Sequence, residues 1–398
     1  MKILFISSLN LATNPRFVKE IKLALANGYE ADVLCFEFNN WSYAFNQQIK
    51  KDIAKANIYT IPAGRKPFWS WAISVFLEKI FRVLGQFIPL PLKLKAIGVS
   101  RRSLLLIKNI RKLNTNYNMV IGHVAGALYP TYFASKYFGI KAGFDIEDYH
   151  PGEDISGIEK LLTKALMQKI LPKMDYLSFA APLIRKTVEE DCKLSDVPCL
   201  VVMNYFSANE FSDHPKNLSG TIKFVWFSQN IKNGRGLELI LPSIKKYSSV
   251  ELHLFGNLDA MFYNEYLQDI PNIFINDPLP QMKLHKKLGM FDVGLALEPA
   301  KDRNNELAVS NKILAYLQAG LFVLASNTPA QKEILAQYSN FGYYFDYITN
   351  DSEQLINKII KDIQTIRNGY QKRFKIFAGN NWETESEKLL QQWKKLTA

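Results

Sequence analysis

The segment Ser310-Asn311-Lys312-Ile313-Leu314-Ala315-Tyr316-Leu317-Gln318-Ala319-Gly320 sets polar residues and a cation before a short helical pattern, closed by Ala-Gly and followed by an apolar strand run to Ser326. At a helix N-terminus the first amide N–H groups have no intrahelical partner and the dipole is positive, so an anion is stabilised there. A lysine among those amides suits a diphosphate. A second segment of this kind, Gln229-Asn230-Ile231-Lys232-Asn233-Gly234-Arg235-Gly236-Leu237, reads as a loop between an apolar strand and a helix. Gly234 and Gly236 permit close backbone approach, and the planar fork of Arg235 matches phosphate oxygens. Alone, a glycine-bearing strand-to-helix junction is an ordinary connection. Paired with Ser310, Asn311 and Lys312 in one predicted domain, Lys232, Gly234 and Arg235 form a clamp for a leaving nucleoside diphosphate, whose developing charge such groups stabilise.

His123 follows the apolar run Met119–Gly122 and therefore ends a strand, at the edge where open α/β sheets bind ligands. Its imidazole either contacts substrate and handles a proton near neutral pH, or packs locally. After the next strand comes Asp145-Ile146-Glu147-Asp148-Tyr149-His150-Pro151-Gly152-Glu153, with four carboxylates and one imidazole in nine residues. That loop suits acceptor hydroxyls, with cation binding or plain solvation as alternatives. Glu298 and Glu306 resemble a catalytic carboxylate pair, but they straddle a loop, so nothing in their spacing fixes the separation that glycosyl chemistry requires. Five scattered histidines and Cys35, Cys192 and Cys199 without a CxxC pair give no metal-ligand spacing and no disulfide framework, which fits a reducing compartment.

These residues need a scaffold of alternating strands and helices, and the chain supplies one. Residues 2–7 are a compact apolar run, Pro15-Arg16 suits a helix start, Asn27-Gly28 ends that helix, and Ala31–Phe36 is the next strand. Strand runs recur at Ile58–Ile61, Met119–Gly122, Ala142–Phe144, Tyr176–Ala180 and Leu200–Met203, with helical patterns between them. The alternation restarts at Lys223–Phe227, with a helix over 236–247, and continues through Val250–Phe255, Ile273–Ile275, Val293–Ala296, Phe322–Ala325 and Gly342–Phe345. The class is α/β, with two Rossmann-like doubly wound domains facing a central cleft. Residues 1–203 are the first domain and 204–375 the second. Residues 376–398 hold a Trp-containing amphipathic helix that packs locally or crosses back to the first domain.

Four stretches together resemble a glycosyltransferase of the GT-B fold, similar to glycosyltransferase family 4. They are Asn14–Glu20, the strand ending at His123, Trp226–Leu237, and Ser310–Ser326, the last against Asn-Lys-x-x-Glu-Tyr-x-x-Ala-Gly-x-Pro-Val. The resemblance implies a hexosyltransferase-type enzyme taking a nucleotide-sugar, with the donor in the second domain and a glycan or lipid-linked acceptor in the first. It further implies metal-independent transfer with retention and no cofactor beyond the donor substrate, in cell-surface polysaccharide synthesis. Arg235 and Lys312 match the family's diphosphate clamp, and Glu306 lies one residue out of register with its first glutamate. His123 joins Glu306 as the candidate catalytic pair. Asn14, Arg16, Asp145, Glu147, Asp148 and His150 fall on the acceptor side. The family's second glutamate aligns with Ala315, and Phe322 replaces its proline. That departure opens two alternatives: a non-catalytic GT-B homologue acting as partner or scaffold, and a GT-B sugar-nucleotide epimerase.

The chain carries a formal net charge of +12 and a pI of about 9.3, which favours an anionic partner. Residues 65–112 contain eleven Lys or Arg and one acid, Glu78, with Phe68, Trp69, Trp71, Phe76, Phe81 and Phe87 among them. Trp69–Leu84 is amphipathic and suits an anionic membrane surface. The plainer reading is a basic helical layer over the first sheet, and no nucleic-acid-binding motif is present, so no nucleic-acid partner is expected. The start, MKILFISSLNLATNPR, is too short in its apolar run for a cleavable signal, and no run of about 18 apolar residues exists. The expected location is cytoplasmic, peripheral on the inner membrane face.

Overall fold

A computed structural model describes residues 1–397 except 114, 115, 215, 217, 269 and 339. The described chain builds two wholly parallel sheets. The first has seven strands: β1 (Lys2–Ser7), β2 (Glu30–Glu37), β3 (Asn57–Pro62), β4 (Met119–His123), β5 (Lys141–Ile146), β6 (Tyr176–Phe179) and β7 (Cys199–Val201). Their order is 3-2-1-4-5-6-7, so the order reverses between β1 and β4. Ile3 on central β1 pairs with Ala31 on one side and Met119 on the other. Near-continuous apolar sequences such as KILFIS and MVIGH are what a strand covered by helices on both faces requires. Asn14 caps the helix Pro15–Ala26, its side chain accepting from the Phe17 N–H at 3.1 Å. Gly28, at φ +77°, turns the chain back towards β2.

The second sheet has six strands: β8 (Ile222–Ile231), β9 (Val250–Leu258), β10 (Ile273–Asn276), β11 (Val293–Ala296), β12 (Phe322–Ser326) and β13 (Gly342–Phe345). Their order is 10-9-8-11-12-13. Trp226, Phe224, Leu252, Leu254, Val293, Leu295 and Leu324 anchor its core. Two local expectations change here. The strand expected to stop at Phe227 runs on to Ile231, through a register irregularity between Phe227 and Asn230. Asn230 and Ile231 pair with Asn257 and Leu258, and the Asn257 amide donates to the Gln229 carbonyl at 2.9 Å. The following helix spans Leu237–Ile244 rather than 236–247, since Lys245 already caps its end.

The chain divides into two compact units. One holds Met1–Val202, Asp302–Asn304 and the chain from Ser386; the other holds Met203–Lys301 and Asn305–Glu385. The final helix, Trp382–Thr397, thus contributes all but its first four residues to the first unit. There Trp393 is fully buried, its indole N–H donates to the Tyr176 hydroxyl at 2.8 Å, and its ring meets Phe5 and Tyr29 edge-on. Between β3 and β4 lie the helices Phe68–Phe87, Leu92–Val99 and Arg101–Ile110. Among the described residues no helix is long and apolar enough to cross a membrane.

Candidate functional site

In the second unit, the C-terminal ends of β8, β11 and β12 gather a polar site. Ser310 caps the helix Asn311–Gln318, its hydroxyl oxygen accepting from the Lys312 N–H at 3.2 Å. Ile313 to Gln318 are buried, which pins the helix to the core and leaves Asn311 and Lys312 at its outer turn. Glu298 lies two residues past β11, and its N–H donates to the Ser326 hydroxyl that ends β12, at 2.6 Å. The Ser310 hydroxyl donates to Glu298 Oε1 at 3.0 Å, and Lys312 Nζ meets the same oxygen at 2.5 Å. Lys312 Nζ also lies 5.8 Å from the Trp226 ring centre, over its face.

With β8 extended, the candidate phosphate loop narrows to Lys232–Gly236. Gly234 and Gly236 adopt φ +76° and +86°, conformations that an L side chain resists. Gly234 donates its N–H to Glu238 Oε1 at 3.0 Å. A side chain on Gly236 would meet the Tyr347 hydroxyl at 2.4 Å, and that hydroxyl bonds Ser326 at 2.9 Å, so the loop touches the same polar cluster as Glu298. Lys301 Nζ would stand 2.9 Å from a Gly234 Cβ. Lys232, Arg235 and Lys301 have no carboxylate partner among the described residues. Glu306 sits on the separate short helix Arg303–Leu307, on the segment leading to Ser310. Sequence reasoning missed Lys301 and set Glu298 aside. Only the third dimension brings either beside the Ser310–Lys312 helix start and the 232–236 loop, although the end of the apolar run Val293–Ala296, two residues before Glu298, was a usable signal.

The first unit has a cavity of about 450 Å³ at the C-terminal ends of β1, β4 and β5. It brings together Asn14, His123, Asp145, Glu147, Asp148 and His150, with Arg102 also in its wall. Arg16, expected on the acceptor side, is absent from that wall. It is 1% exposed, grips both Asp145 oxygens at 2.7 and 2.8 Å, and donates to the Val202 carbonyl at 2.6 Å. A guanidinium is buried at tolerable cost only when so paired, and this one ties the helix Pro15–Ala26 to β5 and to the end of β7. The Ser178 hydroxyl completes Asp145 at 2.5 Å. Burial opposes ionisation of Asp145, but Arg16 and His123 outweigh it and hold the carboxyl below its usual value.

His123 is 1% exposed, with Nδ1 3.5 Å from Asp145 and Nε2 3.4 Å from Glu20. Burial disfavours its charged form, yet the two carboxylates prevail and raise its pKa. As imidazolium it balances the charges: Glu20 and Asp145 against Arg16 and His123. Glu20, His123 and Asp145 also cluster as metal ligands would. The Asp145 oxygens are engaged by Arg16 and Ser178, however, so the group reads as a charge-balanced network. Val124, at φ +70°, is strained for a β-branched residue and lines the cavity beside His123, a placement typical of functional sites.

The loop 145–153 is not a freely solvated acidic run. His150 Nε2 accepts from the Ala125 N–H at 3.2 Å while Nδ1 meets Glu153 at 2.7 Å, which fits the neutral Nδ1–H tautomer. Asn304 donates to Asp148 at 2.9 Å and accepts from the Tyr149 N–H at 2.8 Å.

Two doubly wound parallel sheets in this order define the GT-B fold. Solved structures of that fold match the chain along its whole length. HepE of Anabaena in complex with UDP is 13% identical, with a TM-score of 0.68 and 100% of both chains covered. Sucrose-phosphate synthase of Thermosynechococcus elongatus is 11% identical, with a TM-score of 0.65 over 100% of this chain and 99% of that one. A variant of S. aureus TarM in complex with fondaparinux, alpha-GlcNAc-glycerol and UDP is 11% identical, with a TM-score of 0.65 and 100% of both chains covered. No family model and no curated protein matches the chain.

Proposed function

We propose that this chain is a glycosyltransferase that moves a sugar from a nucleotide-sugar to a glycan or lipid-linked acceptor. The observation that carries the reading is the meeting of the Lys232–Gly236 loop, Lys301 and the Ser310–Lys312 helix start at one end of the second sheet. Unpartnered cations and free helix amides at a strand-end site suit a diphosphate, and two of the matched solved structures carry UDP. Arg235 and Lys312 neutralise the leaving diphosphate, and the cavity in the first unit takes the acceptor. Its wall of carboxylates and hydroxyls suits sugar hydroxyls. Transfer is metal-independent and retaining in this reading, in polysaccharide synthesis on the cytoplasmic side of a membrane. Titration calorimetry with UDP and GDP, then turnover across a panel of nucleotide sugars, tests it. Failure to bind any nucleoside diphosphate would overturn it.

Membrane association belongs to the same proposal. The helix Phe68–Phe87 exposes Phe68, Trp69, Ile73, Phe76, Val83 and Phe87, which supports a peripheral surface. Part of the basic charge turns inward, however: Arg82 pairs with Glu159 at 2.9 Å, and Arg101 and Arg102 donate to the Ala63 and Ser8 carbonyls. Flotation with anionic liposomes at low salt decides the point, and no binding there removes it.

One observation favours a second reading. Ala315 is fully buried and offers no acceptor for a donor ribose, which suits a non-catalytic homologue acting as a scaffold. Nucleotide binding without turnover on any donor would support that reading.

A further inference from the structure

The second unit holds a cavity of about 530 Å³ lined by Phe322, Tyr338, Phe341, Tyr343, Lys372 and Arg373. It lies away from the clamp. Phe322 begins β12 and Ser326 ends it, so the two sites are separated by the strand's length, about 13 Å at a rise of ~3.3 Å per residue. Nothing in the proposed transfer reaction uses it.

Its chemistry is amphipathic. Tyr338 and Phe341 stack at 5.3 Å, Phe322 meets Tyr343 edge-on at 4.9 Å, and together they offer flat apolar walls. Arg373 is 3% exposed, and burial pushes its guanidinium down to about 10. Its neighbour Arg367 is paired with Asp292 at 2.9 Å, whereas Arg373 has only carbonyl partners, Gly320 at 2.9 Å and Ile366 at 2.8 Å. Two of its five N–H donors are thereby engaged; Asp292, bonded to Arg367, acts on Arg373 only through space, and burial outweighs it. Lys372, one residue on, adds a second cation at the rim. The lining carboxylate, Asp362, accepts from the Tyr343 hydroxyl at 2.7 Å. A buried cation bonded only to carbonyls, with N–H donors to spare and aromatic walls beside it, is complementary to an anion with a flat body.

We infer that this cavity is a second ligand site, taking a small aromatic anion whose phosphate or carboxylate meets Arg373 and Lys372 while its ring lies against Tyr338, Phe341 and Tyr343. The inference does not rest on the reading of the clamp. Arg373 also caps the carbonyl end of the helix Asn311–Gln318 through Gly320, so the test leaves it in place and alters the exposed Thr365 and Lys372, which line the same cavity.

The full chain is titrated calorimetrically with 2-naphthyl phosphate and with neutral 2-naphthol, with and without saturating UDP. Saturable binding of 2-naphthyl phosphate is expected. It should weaken by about tenfold or more in Thr365→Trp, which fills the cavity, and in Lys372→Glu, which reverses its charge. UDP should leave it unchanged. The inference is overturned by absent saturable binding, by equal affinity for 2-naphthol, by affinity unchanged in both variants, or by displacement with UDP, which would move the probe to the clamp.

Discussion

Lys312 Nζ lies 2.5 Å from Glu298 Oε1, and the Ser310 hydroxyl donates to that same oxygen at 3.0 Å. The carboxylate therefore holds the lysine, and an arriving diphosphate competes with it for the ammonium. Lys312→Ala should lower turnover at least about tenfold, the scale of losing one preorganised charge-stabilising group. The melting temperature should change only modestly, because the pair keeps some solvent contact, at 12% and 22% exposed, and Glu298 retains the Ser310 hydroxyl. Near-normal turnover in that variant would remove Lys312 from the clamp.

Arg235 is half-buried on a glycine loop and has no acid partner among the described residues. Arg235→Ala should weaken UDP binding about tenfold to a hundredfold, as expected for a charge-assisted hydrogen bond of ~1.5–3 kcal/mol. Calorimetry measures this directly, and an unchanged affinity would place the phosphates elsewhere.

The Arg16–Asp145 pair lies inside the first unit. Asp145→Asn leaves a buried guanidinium without its counter-charge, and should cost about 3 kcal/mol or more in urea denaturation. A loss below about 1 kcal/mol would show that the remaining surroundings of Arg16, Glu20 and the Val202 carbonyl among them, suffice to hold it.

The same network sets a pH window. Asp145 has a lowered pKa in the fold, so its contribution is complete above its ordinary 3.8 and fades as pH falls through the lower native value. His123 has a raised pKa, so its contribution is complete below its ordinary 6.5 and fades as pH rises through the higher native value. Stability should therefore be greatest between these limits and decline on both sides. His123→Gln should flatten the alkaline arm in denaturation measured across pH, and an unaltered arm would mean that the ring is neutral in the fold.

The strands were legible because parallel strands buried on both faces are continuous apolar runs, as in Ile3–Ile6 and Val293–Ala296. The two loop-to-helix junctions at Gly236 and Ser310 were legible because glycine, cation and helix start are local signals. The role of Arg16 was not, since its partner Asp145 lies 129 residues away and no local pattern carries that distance. The end of β8 was hidden because Ser228, Gln229 and Asn230 are polar and interrupt the pattern at an irregularity in register. Lys301 lay in an aperiodic loop, where sequence gives residue type but not direction.

Trp393 closes a core whose other walls, Phe5, Tyr29 and Tyr176, are supplied by the first half of the chain. During synthesis those walls emerge long before their last partner. The unit translated first is thus completed last, after the whole intervening unit has left the ribosome. Until then Phe5, Tyr29 and Tyr176 lack the cover that Trp393 gives them.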